Sequence, residues 1–400
     1  MSYVAQTEQN NFHHSGHLKY LTFVMLSLFA ASSAPTPLYH VYQQVWGFSS
    51  AIMTLIFAVY ALSLLIAVLV FGSLSDYVGR RPIIFLALAL EILSLLLFIY
   101  ATDVRWLIAA RALQGLATGI ASSALGAAML DADIVKGPLV NSIAPFFGLA
   151  LGALGTSLLV EYAPLPLSLC YILMLAMFAG QMLYLLRFPE TVTPQPGVLS
   201  TLKPKLFVPT RARGTFLLVM PADIAFWALG GFFLSLAPSL LELATGSKSI
   251  LSGGLAVAAF TVSGAVSIST VRMKPPQSAL LIGCSFLGLG MPVLLLAVNI
   301  GSLWIFFFGA VVAGIGSGAS FLGALSLLMP LARPHERAGL MSTFLALSYL
   351  SFSAPALAAG FAIKTQGLIL TTNVYGGVVL ILALLALGRL LVTRTASACS

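Results

Sequence analysis

Twelve stretches of this chain are each apolar over about 20 residues or more, the length a helix needs to cross the hydrocarbon core of a bilayer. They lie near 18–38, 47–72, 82–101, 105–130, 138–160, 166–187, 214–241, 249–271, 277–298, 302–330, 338–362 and 368–391. In lipid every backbone polar group must be paired internally, so spanning elements are helices or closed barrels. None of these runs alternates apolar and polar residues as barrel strands do. Composition agrees. The 400 residues are 60% hydrophobic and only 8% charged, against about 25% charged in soluble domains, and the mean hydropathy is +1.04. The expected fold class is an all-α membrane protein of twelve transmembrane helices.

Basic residues supply an orientation, because cytoplasmic loops of membrane proteins are rich in Lys and Arg. With the N-terminus placed in the cytoplasm, 15 of the 19 basic residues fall on that side. Arg105, Lys248 and Lys364 fall on the other, and Arg111 lies inside a span. Both termini are therefore expected inside, in a multi-pass protein of a bacterial-type inner (cytoplasmic) membrane. The net charge of +8 belongs to topology. No basic cluster on a soluble face suggests nucleic acid. Residues 1–17 are polar, contain His13, His14 and His17, lack a signal-peptide pattern, and are expected to form a disordered cytoplasmic tail. Residues 393–400 form a second tail. Cys170, Cys284 and Cys399 have no disulfide or zinc spacing, and no metal or cofactor is expected.

The chain divides in two. Residues 188–213 hold Pro189, Pro194, Pro196, Pro204 and Pro209, which rules out a continuous helix. They read as a cytoplasmic linker between six-span bundles at 18–187 and 214–392. A repeat supports the division. Gly115 and Gly119 precede Ser122, Ser123 and Gly126 in the fourth run; Gly314 and Gly318 precede Ser320 and Gly323 in the tenth, both pairs offset by 199 residues. Small residues four apart let helix backbones approach closely.

Between the second and third runs stands Gly72-Ser-Leu74-Ser75-Asp76-Tyr-Val-Gly79-Arg80-Arg81-Pro82. This resembles the loop between the second and third helices of major facilitator superfamily transporters, roughly G-x-L-[AS]-D-x-x-G-[RK]-[RK]. Arg111, Gln114 and Gly115 similarly resemble that family's R-x-x-Q-G pattern on the fourth helix. In the fifth run, Gly148 and Gly152 match part of the antiporter pattern of the family's drug exporters. Ala153 stands where that pattern has Pro, and Gly155 is the nearest later glycine; a plain close-packed helix explains these residues equally well. Pro37-Leu38-Tyr39 and Gly47-Phe48-Ser49 resemble the first helix and outer loop of bacterial drug-exporter types. The resemblance covers nearly the whole chain and implies two pseudo-symmetric bundles working by alternating access. In the second half the loop counterpart, Arg272-Met273-Lys274-Pro275, keeps the basic charge and lacks the Asp.

No phosphate-binding G-x-x-x-x-G-K-[ST] loop and no H-E-x-x-H helix is present, so neither ATP-driven transport nor zinc proteolysis is expected, and the chain is not read as an enzyme. A gradient must then supply the energy, and ionisable groups within spans are where to look. Arg111 keeps its charge when buried and needs partners; the resemblance implies that it lines the cavity and tunes a nearby proton site. Asp223 lies ~15 Å into the seventh run at 1.5 Å per residue, and is the candidate proton carrier. Glu91, in the third run, is a further coupling candidate. Each has a plainer role open to it, as a buried group satisfied by neighbouring helices. Asp76 is expected to end the second helix against the start of the eleventh at Arg337-Ala338-Gly339. A carboxylate gains from a helix N-terminus, Gly72 would let the helices touch, and Arg80 and Arg81 would hold Asp76, latching the cytoplasmic side. Tyr39, Tyr42 and Trp46 are expected at the membrane interface.

The spans expected to line the cavity carry few charges and offer Ser, Thr, Gln114, Phe226, Trp227, Phe232 and Phe233. That lining suits a lipophilic molecule, cationic if Asp223 supplies the counter-charge. The expected function is proton-coupled efflux of small lipophilic, drug-like compounds by a monomer. The alternative is proton-coupled transport of a specific metabolite such as a sugar or organic acid. The expected partners are the small-molecule substrate, protons and the bilayer.

Overall fold

A computed structural model describes residues 2–198, 202–204, 206–246 and 249–398, with side chains described from 16 to 393. Lys205, Lys248 and Cys399, and the side chains of His13 and His14, lie outside the described residues.

Among the described residues the regular structure is helical, without strands. The first run is split: α1 (Ser2–Ser33) and α2 (Pro35–Trp46) meet at Ala34, where Pro35 and Pro37 lack the N–H groups needed to continue the ladder. Helix α1 extends back over the stretch expected to be a tail. Next come α3 (Ser50–Phe71), the short α4 (Leu74–Val78), α5 (Arg80–Ile99), α6 (Val104–Ala132), α7 (Gly137–Tyr162) and α8 (Leu169–Leu185). The seventh run is split like the first, into α9 (Arg213–Ser235) and α10 (Ala237–Thr245), with Pro238 in the first turn of the second piece. The remainder are α11 (Ile250–Val271), α12 (Pro276–Ile300), α13 (Leu303–Leu328), α14 (Arg337–Gln366) and α15 (Leu368–Ala398).

Eleven helical segments among the described residues are long and apolar enough to span a membrane; the twelfth, α8, has 17 residues. Pro164 and Pro166 delay its start. At 1.5 Å per residue it is ~26 Å long, slightly short of a ~30 Å hydrocarbon core.

Helices α1 to α8 pack mainly among themselves, as do α9 to α15, and two larger pairings join the halves: α3 with α14, and α7 with α11. These pairs are images of each other. Advancing six spans carries the second to the eighth and the fifth to the eleventh. The glycine repeat holds in three dimensions too. Gly115 and Gly119 of α6 lie on the α3 backbone at Tyr60 and Leu64, and Gly314 and Gly318 of α13 lie on the α11 backbone at Phe260 and Gly264. A Cβ at any of the four would collide with a main-chain oxygen. The repeat also extends where the sequence motif did not reach. Gly47 ends α2 at φ 67° and Gly246 ends α10 at φ 69°, again 199 residues apart. Both hold the left-handed cap conformation that Gly adopts without a Cβ penalty.

Candidate functional site

A cavity of about 410 Å³ lies between the bundles. Its wall is largely aromatic: Phe57, Phe146, Phe226, Trp227, Phe321, Tyr349 and Phe352 all face it. Trp227 is the hub, 4.8 Å from Tyr349, 5.2 Å from Phe226 and 5.5 Å from Phe352 between ring centroids. The lining runs from Thr36 on α2 to Asn141, Ser142 and Met341, which lie about one turn from the starts of α7 and α14. The cavity thus extends toward the Gly72–Pro82 loop.

Paired contacts seal the opposite end. The Thr36 hydroxyl donates to the Leu234 carbonyl at 3.0 Å, across the facing breaks in the two split runs. Phe57 meets Phe352 at 4.8 Å, and His40 of α2 meets Glu242 of α10 at 3.2 Å. Glu161, at the end of α7, accepts from the Ser249 hydroxyl at 2.8 Å and from the Leu251 N–H at 2.9 Å, capping α11 of the other bundle. Nothing in the sequence marked Glu161, because a lone acid at a helix end has no pattern.

Arg111 is the single charged residue on the cavity wall among the described residues, and it is 1% exposed. Its guanidinium donates to the Ser32 carbonyl at 2.8 Å and to Gln114 Oε1, and stands 4.1 Å from the centre of the Tyr60 ring, a cation–π distance. Gln114 passes the connection on: its amide donates to the Ala31 carbonyl and to Glu91 Oε1, both at 3.0 Å. Arg111 and Glu91 are therefore joined through Gln114, with no direct ion pair. This also corrects the expectation for Gln114. It is fully buried behind Arg111 and does not line the cavity, because both ends of its amide are spent on the bridge. Arg111 Nε and Glu91 Oε2 have no partner within hydrogen-bond distance.

Asp223 is fully buried and accepts from Ser348 of α14 at 2.7 Å. Its Oδ1 interacts with the indole N–H of Trp227 one turn further along, at more than hydrogen-bond distance. Asp223 does not face the cavity; Phe226 and Trp227 do. Phe232 and Phe233 also point away, into the α9–α15 bundle, where Phe233 stacks on Phe260 at 4.4 Å. Tyr39 and Tyr42, expected at the interface, are buried. Tyr42 reaches the Tyr171 hydroxyl at 3.5 Å, against α8 of its own bundle.

At the loop, Arg80 binds Asp76 and the Ser75 hydroxyl (2.8 Å), and Asp131 at 3.1 Å. Arg81 does not hold Asp76; it donates to the Leu186 carbonyl at 2.8 Å. The expected dock on α14 is not formed. Asp76 is 53% exposed, and a Cβ added at Gly72 would meet Val68 of its own helix and, at 3.7 Å, the Ser123 hydroxyl of α6, with nothing of α14 among its nearest neighbours. The cavity reaches this end, so the two halves of the latch stand apart. The linker supplies a group the sequence did not single out: Glu190 accepts the Arg80 and Arg81 backbone N–H groups at 2.9 and 3.0 Å, capping α5. Gly79, at φ 113°, leaves the room that this carboxylate fills.

The sequence model described as Major Facilitator Superfamily matches residues 21–356. The chain belongs to the major facilitator superfamily. A search of curated proteins finds no match. Among solved structures, the nucleoside transporter NupG superposes with a TM-score of 0.74 at 14% identity, covering 94% of this chain and 99% of that one. A POT-family transporter in complex with 5-aminolevulinic acid gives 0.73 at 14% identity, covering 93% and 95%. The human organic anion transporter MFSD10 gives 0.65 at 18% identity, covering 93% and 99%. At such identities the likeness establishes the fold, a major facilitator fold built from two six-span halves.

Within that fold the fifth-run glycines are packing residues on one face only. A Cβ at Gly148 would come within 2.6 Å of the Leu26 carbonyl of α1, and one at Gly152 would collide with the Ala30 carbonyl. Gly155 has nothing within 4 Å.

Proposed function

We propose that this superfamily transporter exports small lipophilic compounds in exchange for protons, working as a monomer with both termini on the cytoplasmic side of a bacterial-type inner membrane. The observation that carries the reading is the aromatic cavity, sealed at one end by α2 with α10 and extending toward the loop at the other. Alternating access needs such a one-sided cavity between bundles that can rock. With the basic loops cytoplasmic, this is an inward-facing form. The aromatic wall suits apolar cargo, and a few polar groups fix its orientation. For the proton, Glu91 and Asp223 are fully buried carboxyls, each with one oxygen that no donor reaches within hydrogen-bond distance. Intramembrane acids of this kind are natural proton carriers. Proton-coupled movement of one particular metabolite is the second reading, favoured by Arg111 on the wall. The structural relatives named above are described as carriers of quite different cargo, so the cavity must decide between the readings.

Everted vesicles with an acidified lumen and a pH-sensitive dye provide the test. Dequenching on addition of particular lipophilic compounds, absent from vesicles without the protein, is expected. A flat response across such compounds, with proton-linked uptake in right-side-out vesicles, would instead support the metabolite reading.

A further inference from the structure

The sequence suggested a cationic cargo with Asp223 as its counter-charge. The geometry points the other way, and we infer that the cavity selects lipophilic organic anions, an aromatic body carrying one carboxylate, with Arg111 as the residue that binds the carboxylate. The inference rests on the reading of this cavity as the transport site and adds the charge of what it takes.

Three observations carry it. First, sign: the wall holds one charged side chain, and it is a guanidinium. Asp223 and Glu91 both lie behind the wall, with Asp223 turned to Ser348 and Glu91 beyond Gln114. A cation in the cavity would meet Arg111 with no facing carboxylate. Second, unspent capacity: no carboxylate lies within ion-pair distance of Arg111 among the described residues. Its second terminal nitrogen makes no hydrogen bond among the described residues. A guanidinium offers five donors. Here one terminal nitrogen serves the Ser32 carbonyl and Gln114, so donor capacity remains for a carboxylate. Third, placement: the guanidinium lies on the Tyr60 ring, and the aromatic wall around Trp227 forms the rest of the cavity. A molecule with an apolar aromatic body and one acidic end matches both parts. A neutral lipophile would displace water from that second terminal nitrogen without giving it an acceptor, at the cost an unpaired buried donor carries.

The test uses three probes of one skeleton: 2-naphthylacetate, 2-naphthylacetamide and 2-(2-naphthyl)ethylamine. Each is titrated against the purified full-length protein in nanodiscs at pH 7, with Trp227-dependent quenching of tryptophan fluorescence as the readout. The acetate should bind about tenfold or more tightly than the amide, the scale of a charge-assisted hydrogen bond, and the amine should bind weakest. Arg111→Gln should erase the preference for the acetate while leaving amide binding in place, which also shows that the variant is folded. Arg111→Lys keeps the charge without the planar fork and should retain a reduced preference; it covers the case in which Arg111→Gln does not fold. Equal or tighter binding of the amide or amine to the native protein overturns the inference and leaves the cavity reading standing. So does a preference for the acetate that survives Arg111→Gln. If none of the three binds, the cavity reading fails and the inference with it.

Discussion

The candidate functional side chains here are few, and each is held by a neighbour that can be removed singly. Gln114 is the clearest case. It pairs Arg111 with Glu91 through a bridge of two side-chain hydrogen bonds. Gln114→Leu keeps the volume and deletes the bridge, leaving buried donors and acceptors unpaired. The cost expected from such orphans is about 1–3 kcal/mol, and a lowered midpoint of thermal unfolding in detergent would register it. An unchanged midpoint would mean that water already satisfies these groups. Asp223→Asn should behave differently. The Asn carbonyl still accepts from Ser348, so thermal stability should hold while proton-coupled transport is lost, measured as proton flux in vesicles. Retained coupling would take Asp223 out of the mechanism and leave Glu91. Residues of this kind were partly legible in the sequence. Arg111, Glu91 and Asp223 stand out because charge in an apolar run is costly. Glu161 and Glu190 did not, since an acid at a helix end or in a linker is ordinary. Only the partner brought there by the fold, the start of α11 in one case and of α5 in the other, gives each its role.

At the level of helices, the spans and their order were legible because a 20-residue apolar run has few alternatives. The breaks were less so. Pro35, Pro37 and Pro238 stand in runs that read as unbroken in the sequence, and that the two breaks face each other across the bundle interface depends on the pseudo-symmetry. The glycine at α2's end and its counterpart at α10's end carry the same message in residues the motif search passed over. The fifth-run glycines allow a direct test of packing against motif. Gly148→Ala places a methyl against the α1 backbone at Leu26, where backbone cannot yield cheaply. Overpacking of this sort costs about 1–3 kcal/mol. Gly155→Ala meets open space and should leave stability unchanged. Parallel thermal unfolding of the two variants would show the contrast, and equal losses would mean that α1 and α7 do not approach as closely as described. The linker is fastened at both ends in the same way. Glu190 ties it to α5, and near its other end Arg211 pairs with Glu336 beside the start of α14. The Arg333 N–H, with help from Arg211, holds the Glu336 carboxyl below the usual carboxylate range. That tether is therefore charged at neutral pH and is lost only as pH falls through the carboxylate range. As an exposed pair it contributes little to stability.

For the molecule as a whole, the question is what decides which end of the cavity is open. At the sealed end the bundles share hydrogen bonds and the tilted Phe57–Phe352 ring contact; at the loop end Asp76 is half exposed and bound within its own bundle by Arg80. That ion pair is worth little, because exposed pairs contribute about 0–1 kcal/mol. Docked on the N-terminus of α14, the same carboxylate would face unpaired backbone N–H groups and gain ~0.3–1 kcal/mol, more if partly buried. On the proposed topology the docked arrangement belongs to the opposite, outward-facing state, and Asp76 would favour that state by the difference. Asp76→Ala removes that difference, at most about 1 kcal/mol, and should move the equilibrium by up to about fivefold toward the form described here. Ser142 reports it, since it lines the cavity about one turn from the start of α7. Cys170 and Cys284 are buried, so with Cys399→Ser the only readily labelled thiol is the one introduced by Ser142→Cys. Its rate of reaction with a maleimide, in membranes exposing the cytoplasmic face, should rise by that factor when Asp76→Ala is added. Asp76→Asn should give an intermediate rise, because the amide keeps an acceptor for the α14 N–H groups and gives up the charge. A rate that stays the same or falls would mean that the loop does not act as the latch. The balance would then rest with the seal at the other end, where Thr36, Glu161 and the rings of Phe57 and Phe352 must part before the cavity can change sides.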